Sequence, residues 1–74
     1  MEEKIRQVMA DILDMEPSGI DDDTSMDNVE GWDSANHISL VLALEEEFDA
    51  TFDVSEIEEM TSFYSIVETV MQKK

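Results

Sequence analysis

Apolar residues in this chain recur at helical spacing and nowhere alternate as a strand would require. Ile5, Val8, Met9, Ile12 and Leu13 follow the i, i+3, i+4, i+7, i+8 pattern of one helix face. Phe63, Ile66, Val67, Val70 and Met71 repeat that spacing near the other end. The first stripe predicts a helix from Glu2 to Leu13, with Glu2 and Glu3 at its electropositive start and Pro17-Ser18-Gly19 as its stop. A second helix is predicted from Ser34 to Phe48, with Asp33 as N-cap. Ser55 with Glu58 three residues on forms a capping-box pattern that opens a short third helix. Thr61 or Ser62 caps the fourth, and Lys73 and Lys74 fall where its dipole is negative. The fold class expected is all-α: a four-helix bundle with a long first loop and a short third helix, residues 1–74 forming one domain.

That long connection, Met15 to Asp33, is acidic and turn-rich, with Asp21-Asp22-Asp23-Thr24-Ser25 at its centre. Ile20, Met26, Val29 and Trp32 are spaced along it and are expected to pin it to the core. A loop of that length in so small a domain usually has a function.

Size and charge narrow the function. Seventy-four residues with 42% apolar content support one small core; an enclosed ligand pocket of roughly 300 Å³ or more would consume much of it. There is no cysteine, so neither disulfides nor thiolate metal sites can add stability. A self-contained enzyme is not expected. Twenty acidic residues against four basic ones give a net charge of −16, and between Arg6 and Lys73 only His37 can become cationic. Nucleic-acid phosphates and anionic lipid would be repelled, whereas basic patches on other proteins would be attracted. No apolar run approaches the roughly 18 residues of a membrane span. Met1-Glu2-Glu3 is no signal-peptide start, and with no disulfides the cytoplasm is the expected compartment; a monomer is the expected state.

Projecting the second helix at about 100° per residue separates two surfaces. Leu40, Val41, Leu44 and Phe48 form the core face, while Ala35, Ile38 and Leu42 gather on the other side, with Glu45, Glu46 and Asp49 around them. The strip is either a set of scattered surface apolar residues or a docking ridge with an acidic rim. Ser34 begins this helix within Gly31-Trp32-Asp33-Ser34-Ala35. A serine there can simply serve the helix start, but the free amides and dipole of that end also favour a phosphate ester.

Gly31-Trp32-Asp33-Ser34, followed by Leu40-Val41-Leu42-Ala43-Leu44-Glu45-Glu46-Glu47-Phe48, resembles the acyl carrier protein family. There an Asp-Ser-Leu motif opens the second helix and a Leu-Glu-Glu-Glu-Phe-like stretch closes it. The Pro17 to Ser25 approach and the Thr61 to Val70 helix fit the same layout, so the resemblance covers nearly the whole chain. It implies a carrier of acyl or aminoacyl groups, held as thioesters on a 4′-phosphopantetheine arm derived from coenzyme A and attached to Ser34. A phosphopantetheinyl transferase would attach the arm with Mg²⁺, and a loading ligase or transferase and downstream enzymes would be the other partners. Asp33, Ala35, Ile38, Leu42, Glu45 and Glu46 become the expected partner contacts. A chain without cysteine must in any case import the thiol for a thioester.

The departures are informative. Ala35 stands where the family usually has leucine, Asn36 and His37 follow, and Ser39 occupies a position that is often acidic. The ridge is thus shallower and less charged at its upper end, and the Gly-Trp-Asp-Ser form resembles discrete carriers of specialised pathways. Other readings compete. Asp21, Asp23, Ser25 and Asp27 resemble a calcium loop, yet Met26 and Trp32 stand where glycine and glutamate are needed, leaving only weak, diffuse divalent-cation binding. Ser34 and His37 are i, i+3 neighbours without an oxyanion element, so a packed or cap-bonded histidine is preferred over a base. Trp32 reads as a loop anchor, and the methionines as core filler. An acidic helical interaction module without a prosthetic group is the alternative function.

Overall fold

The computed structural model describes residues 2–73; the Lys74 expectation and everything said of Met1 lie outside them. Among the described residues four helices follow in order, α1 (Glu2–Leu13), α2 (Ser34–Phe48), α3 (Val54–Glu59) and α4 (Phe63–Lys73), with a 3₁₀ turn at Pro17–Gly19. Among the described residues the only β-type pairing is an isolated bridge between Ser25 and Ser62.

α1 buries Ile5, Met9, Ala10 and Leu13, with Val8 and Ile12 half-buried beside them. It ends where expected, but by a different device. Asp14 adopts a left-handed φ of 55°, and the Met15 amide reaches back to the Ala10 carbonyl at 3.0 Å, a Schellman closure. Pro17-Ser18-Gly19 lies further on and makes its own 3₁₀ turn, since proline at its start needs no amide partner. α2 closes in the same way, with Asp49 at φ 52° and the Ala50 amide on the Glu45 carbonyl at 3.0 Å.

The four apolar residues of the long loop do pin it. Ile20 and Trp32 are each 2% exposed, and Met26 and Val29 pack half-buried against the core. Thr24 is also buried, and its hydroxyl accepts the Asp21 amide at 2.9 Å. Two backbone bonds tie the loop to the start of α4: Met26 N to Thr61 O and Phe63 N to Thr24 O, both 2.9 Å. Arg6 adds a third tie, donating through Nε to the Ile20 carbonyl at 3.0 Å with its guanidinium 4.8 Å from the Phe63 ring centroid.

The start of α3 corrects the sequence expectation. The capping box is Asp53 with Glu56, not Ser55 with Glu58: Asp53 Oδ1 accepts the Glu56 amide at 2.8 Å and Glu56 Oε1 accepts the Asp53 amide at 3.0 Å. Ser55 therefore lies inside the helix. α4 is capped by Ser62, whose hydroxyl accepts the Ser65 amide at 3.1 Å, and it buries Phe63, Ile66, Val67 and Val70. The methionine expectation holds for Met9 and Met60, both fully buried, but not for Met71, which is 57% exposed.

Candidate functional site

The first turn of α2 is held from three sides. Asp33 is extended (φ −104°, ψ −176°), and its Oδ1 accepts the Asn36 amide at 2.9 Å, as the N-cap expectation required. Asn36 then reaches back, its Nδ2 donating to the Gly31 carbonyl at 2.6 Å. Trp32 is buried, and its indole Nε1 donates to His37 Nδ1 at 3.0 Å; His37 Nε2 lies 2.9 Å from the Ile57 carbonyl of α3. Ser34, at the centre of this lattice, is exposed. Loop and helix thus fix the backbone around the serine while leaving its side chain facing solvent.

The lattice decides what the site can do. Both ring nitrogens of His37 are engaged, so it does not serve Ser34 as a base. A groove of about 440 Å³ runs between α1 and α2, floored by Val8, Ile12 and Ala43, but neither Ser34 nor His37 lines it. What remains is an exposed hydroxyl on a helix N-terminus, where backbone amides and the dipole favour an added phosphate. These residues fit a phosphodiester-linked group: Ser34 is exposed, and the Asp33 and Asn36 bonds hold the adjoining turn.

α2 divides its faces as its spacing required. Leu40, Val41 and Leu44 are buried and Phe48 half-buried; on the other side Ala35 is exposed, Ile38 is 52% and Leu42 59% exposed. The strip starts one residue after Ser34. Of the two expected rim carboxylates, Glu46 is exposed, but Glu45 is half-buried and its Oε2 accepts the Phe52 amide at 2.9 Å. Glu45 is therefore engaged in holding the turn between α2 and α3. The sequence reading missed this bond, and also the Trp32–His37 pair, which joins a loop residue to a helix residue and follows no helical spacing rule.

The pattern that defines the phosphopantetheine attachment site family matches residues 3–70. The chain is 32% identical over 72 residues to the acyl carrier protein of Cyanidioschyzon merolae, an alignment that covers 97% of this chain and 79% of that one. To the acyl carrier protein of Buchnera aphidicola subsp. Acyrthosiphon pisum it is 30% identical over 73 residues, covering 99% and 91%. Its backbone matches the solution NMR structure of holo acyl carrier protein from Geobacter metallireducens with a TM-score of 0.86 at 19% identity, over 97% of this chain and 83% of that one, a likeness of fold.

Proposed function

The chain belongs to the acyl carrier protein family, and from that premise we propose that Ser34 is the residue that bears its 4′-phosphopantetheine. Proteins of this family are carriers and not catalysts. The covalently attached group supplies the thiol on which acyl groups ride as thioesters, which this cysteine-free chain lacks. The single observation that carries the assignment is the exposed Ser34 at the start of α2, with the exposed Ala35–Ile38–Leu42 strip beginning at the next residue.

The division of labour follows from the geometry. With no base of its own, Ser34 depends on a phosphopantetheinyl transferase, whose base takes the hydroxyl proton as the oxygen attacks the β-phosphate of coenzyme A; the pyrophosphate bond breaks and adenosine 3′,5′-bisphosphate leaves. The residues of this chain present the hydroxyl and offer a docking face. Ala35, Ile38 and Leu42 supply apolar contact, and Asp33 and Glu46 add charge that speeds encounter with basic partner surfaces. Ala35 makes the ridge shallow beside the serine. That supports loading by an acyl- or aminoacyl-specific enzyme of a specialised pathway over service in bulk fatty-acid synthesis. The chain works as a single copy, because a net charge of −16 sets like copies against each other.

Incubation with coenzyme A, Mg²⁺ and a broad-specificity transferase, followed by intact-mass measurement, tests the assignment. One phosphopantetheine is expected, and none on the Ser34→Ala variant. An unchanged gain on that variant would move the site to another serine.

A further inference from the structure

The Trp32–His37–Ile57 chain does more than fill the core. An indole N–H can only donate and a backbone carbonyl can only accept. Nδ1 of His37, which accepts the Trp32 N–H at 3.0 Å, must therefore be unprotonated, and Nε2, which faces Ile57 O at 2.9 Å, must carry the hydrogen. One neutral tautomer satisfies both bonds. His37 is 8% exposed and Trp32 2%, so neither group has water as a ready substitute.

The chain's position matters as much as its chemistry. Trp32 lies two residues before Ser34 and His37 three after, so their bond brackets the serine across the junction of loop and helix. Asp33 and Asn36 secure the same junction, but only with local contacts. His37 alone among these residues extends the connection to α3. That helix has six residues, none of them fully buried; besides the His37 bond it is held by Ile57, half-buried against the core, and by the Glu56–Lys73 ion pair to α4.

We propose that His37 is a positioning residue for arm attachment: its two hydrogen bonds tie the loop before Ser34 and the helix α3 to one turn of α2, so that the transferase meets Ser34 on a fixed backbone. This rests on the reading of Ser34 as the attachment site. The lock acts before binding, by removing conformations in which the serine and its flanking surface are displaced relative to one another, and its loss appears in the KM for the carrier.

The test has two parts. In the full chain, ring ¹⁵N shifts at neutral pH are expected to show His37 with bare Nδ1 and protonated Nε2; the opposite tautomer or an imidazolium overturns the proposal. Trp32→Phe keeps a buried ring but removes the donor, and His37→Asn keeps an acceptor near the Nδ1 position but cannot reach α3. Each is expected to raise the transferase KM for the carrier by roughly fivefold to tenfold with kcat retained. The double variant is expected to add little, because both bonds belong to one chain. A purely structural role would lower the melting temperature and leave the KM of the folded variants unchanged, and that result overturns the proposal. If either variant fails to fold, His37→Gln, which keeps a donor toward Ile57 and loses the Trp32 bond, is measured in its place against the same KM criterion. Peptide mapping of the wild-type product separates the two claims. Attachment at another serine overturns both; attachment at Ser34 with unchanged KM values overturns this one alone.

Discussion

Glu45 and Phe52 are joined across the turn that leaves α2: the Glu45 carboxylate accepts the Phe52 backbone N–H at 2.9 Å, and the Phe52 ring is buried. The bond is charge-assisted and spans the connection to α3, so removing it affects stability more than partner binding. Glu45→Ala is expected to cost about 1.5–3 kcal/mol in urea unfolding. Glu46→Gln, at an exposed carboxylate one residue on, is expected to change stability by about 0.5 kcal/mol or less and to slow loading mainly at low salt. Equal stability losses for the two variants would show that the Phe52 bond is not what distinguishes them.

The left-handed aspartates give a second expectation. Asp14 and Asp49 occupy positions that favour glycine, and each places a negative charge at the negative end of a helix. Asp14→Gly and Asp49→Gly are each expected to stabilise by about 0.5–1 kcal/mol, after glycine's greater unfolded-state entropy is subtracted. Asp→Asn at the same positions isolates the charge, because asparagine tolerates the same backbone. Thermal melts that fall in all four variants would rule out both contributions.

Lys73 and Glu56 link the end of α4 to α3 at 2.9 Å. The Lys73 hydrogen bond, with a further contribution from the Asp53 amide, holds the Glu56 carboxyl below its ordinary value of 4.5. A depressed carboxylate stabilises the fold above that ordinary value, and the contribution is lost as pH falls from 4.5 through the lower folded value. Glu56→Gln is therefore expected to be less stable than wild type at neutral pH, with the gap narrowing below about pH 4.5. Comparing the two chains cancels the titration of the other carboxylates. A gap that is constant from pH 7 to 3 would contradict the linkage.

The same residues explain what the sequence could and could not reveal. The bounds of α1 and α2, the Asp33 cap and the four loop anchors rest on local spacing and cap chemistry, which a sequence displays directly. The start of α3 does not, because Asp53 with Glu56 and Ser55 with Glu58 are both admissible boxes two residues apart. Burial of Phe52 and the reach of Glu45 bring the chain into the helix at Asp53, and both are tertiary facts. Likewise a helical projection gives the angle of Glu45 but not the distant amide it serves. His37 reads from the sequence as a packed or cap-bonded histidine and is buried, while its two partners, one in a loop and one on α3, share no sequence signature.

Partner choice is expected to reside in Ile38 and Leu42, with Ala35 beside the serine. Both larger residues are more than half exposed, so neither contributes much to the core. Replacing either by alanine removes about 1–2 kcal/mol of apolar burial in a complex, roughly a tenfold weakening. The folded chain is expected to change by about 0.5 kcal/mol or less. Ala35→Leu is the reverse test, since it restores bulk next to Ser34. It is expected to improve recognition by general fatty-acid enzymes and to impair the native loading enzyme, because an enzyme surface fitted to a small residue has no room for three added carbons. Loading rates with each enzyme, measured beside thermal melts of every variant, check all three substitutions. A sharp fall in melting temperature for Ile38→Ala and Leu42→Ala, with loading of the folded protein unchanged, would assign the strip to the fold and remove it from the docking face.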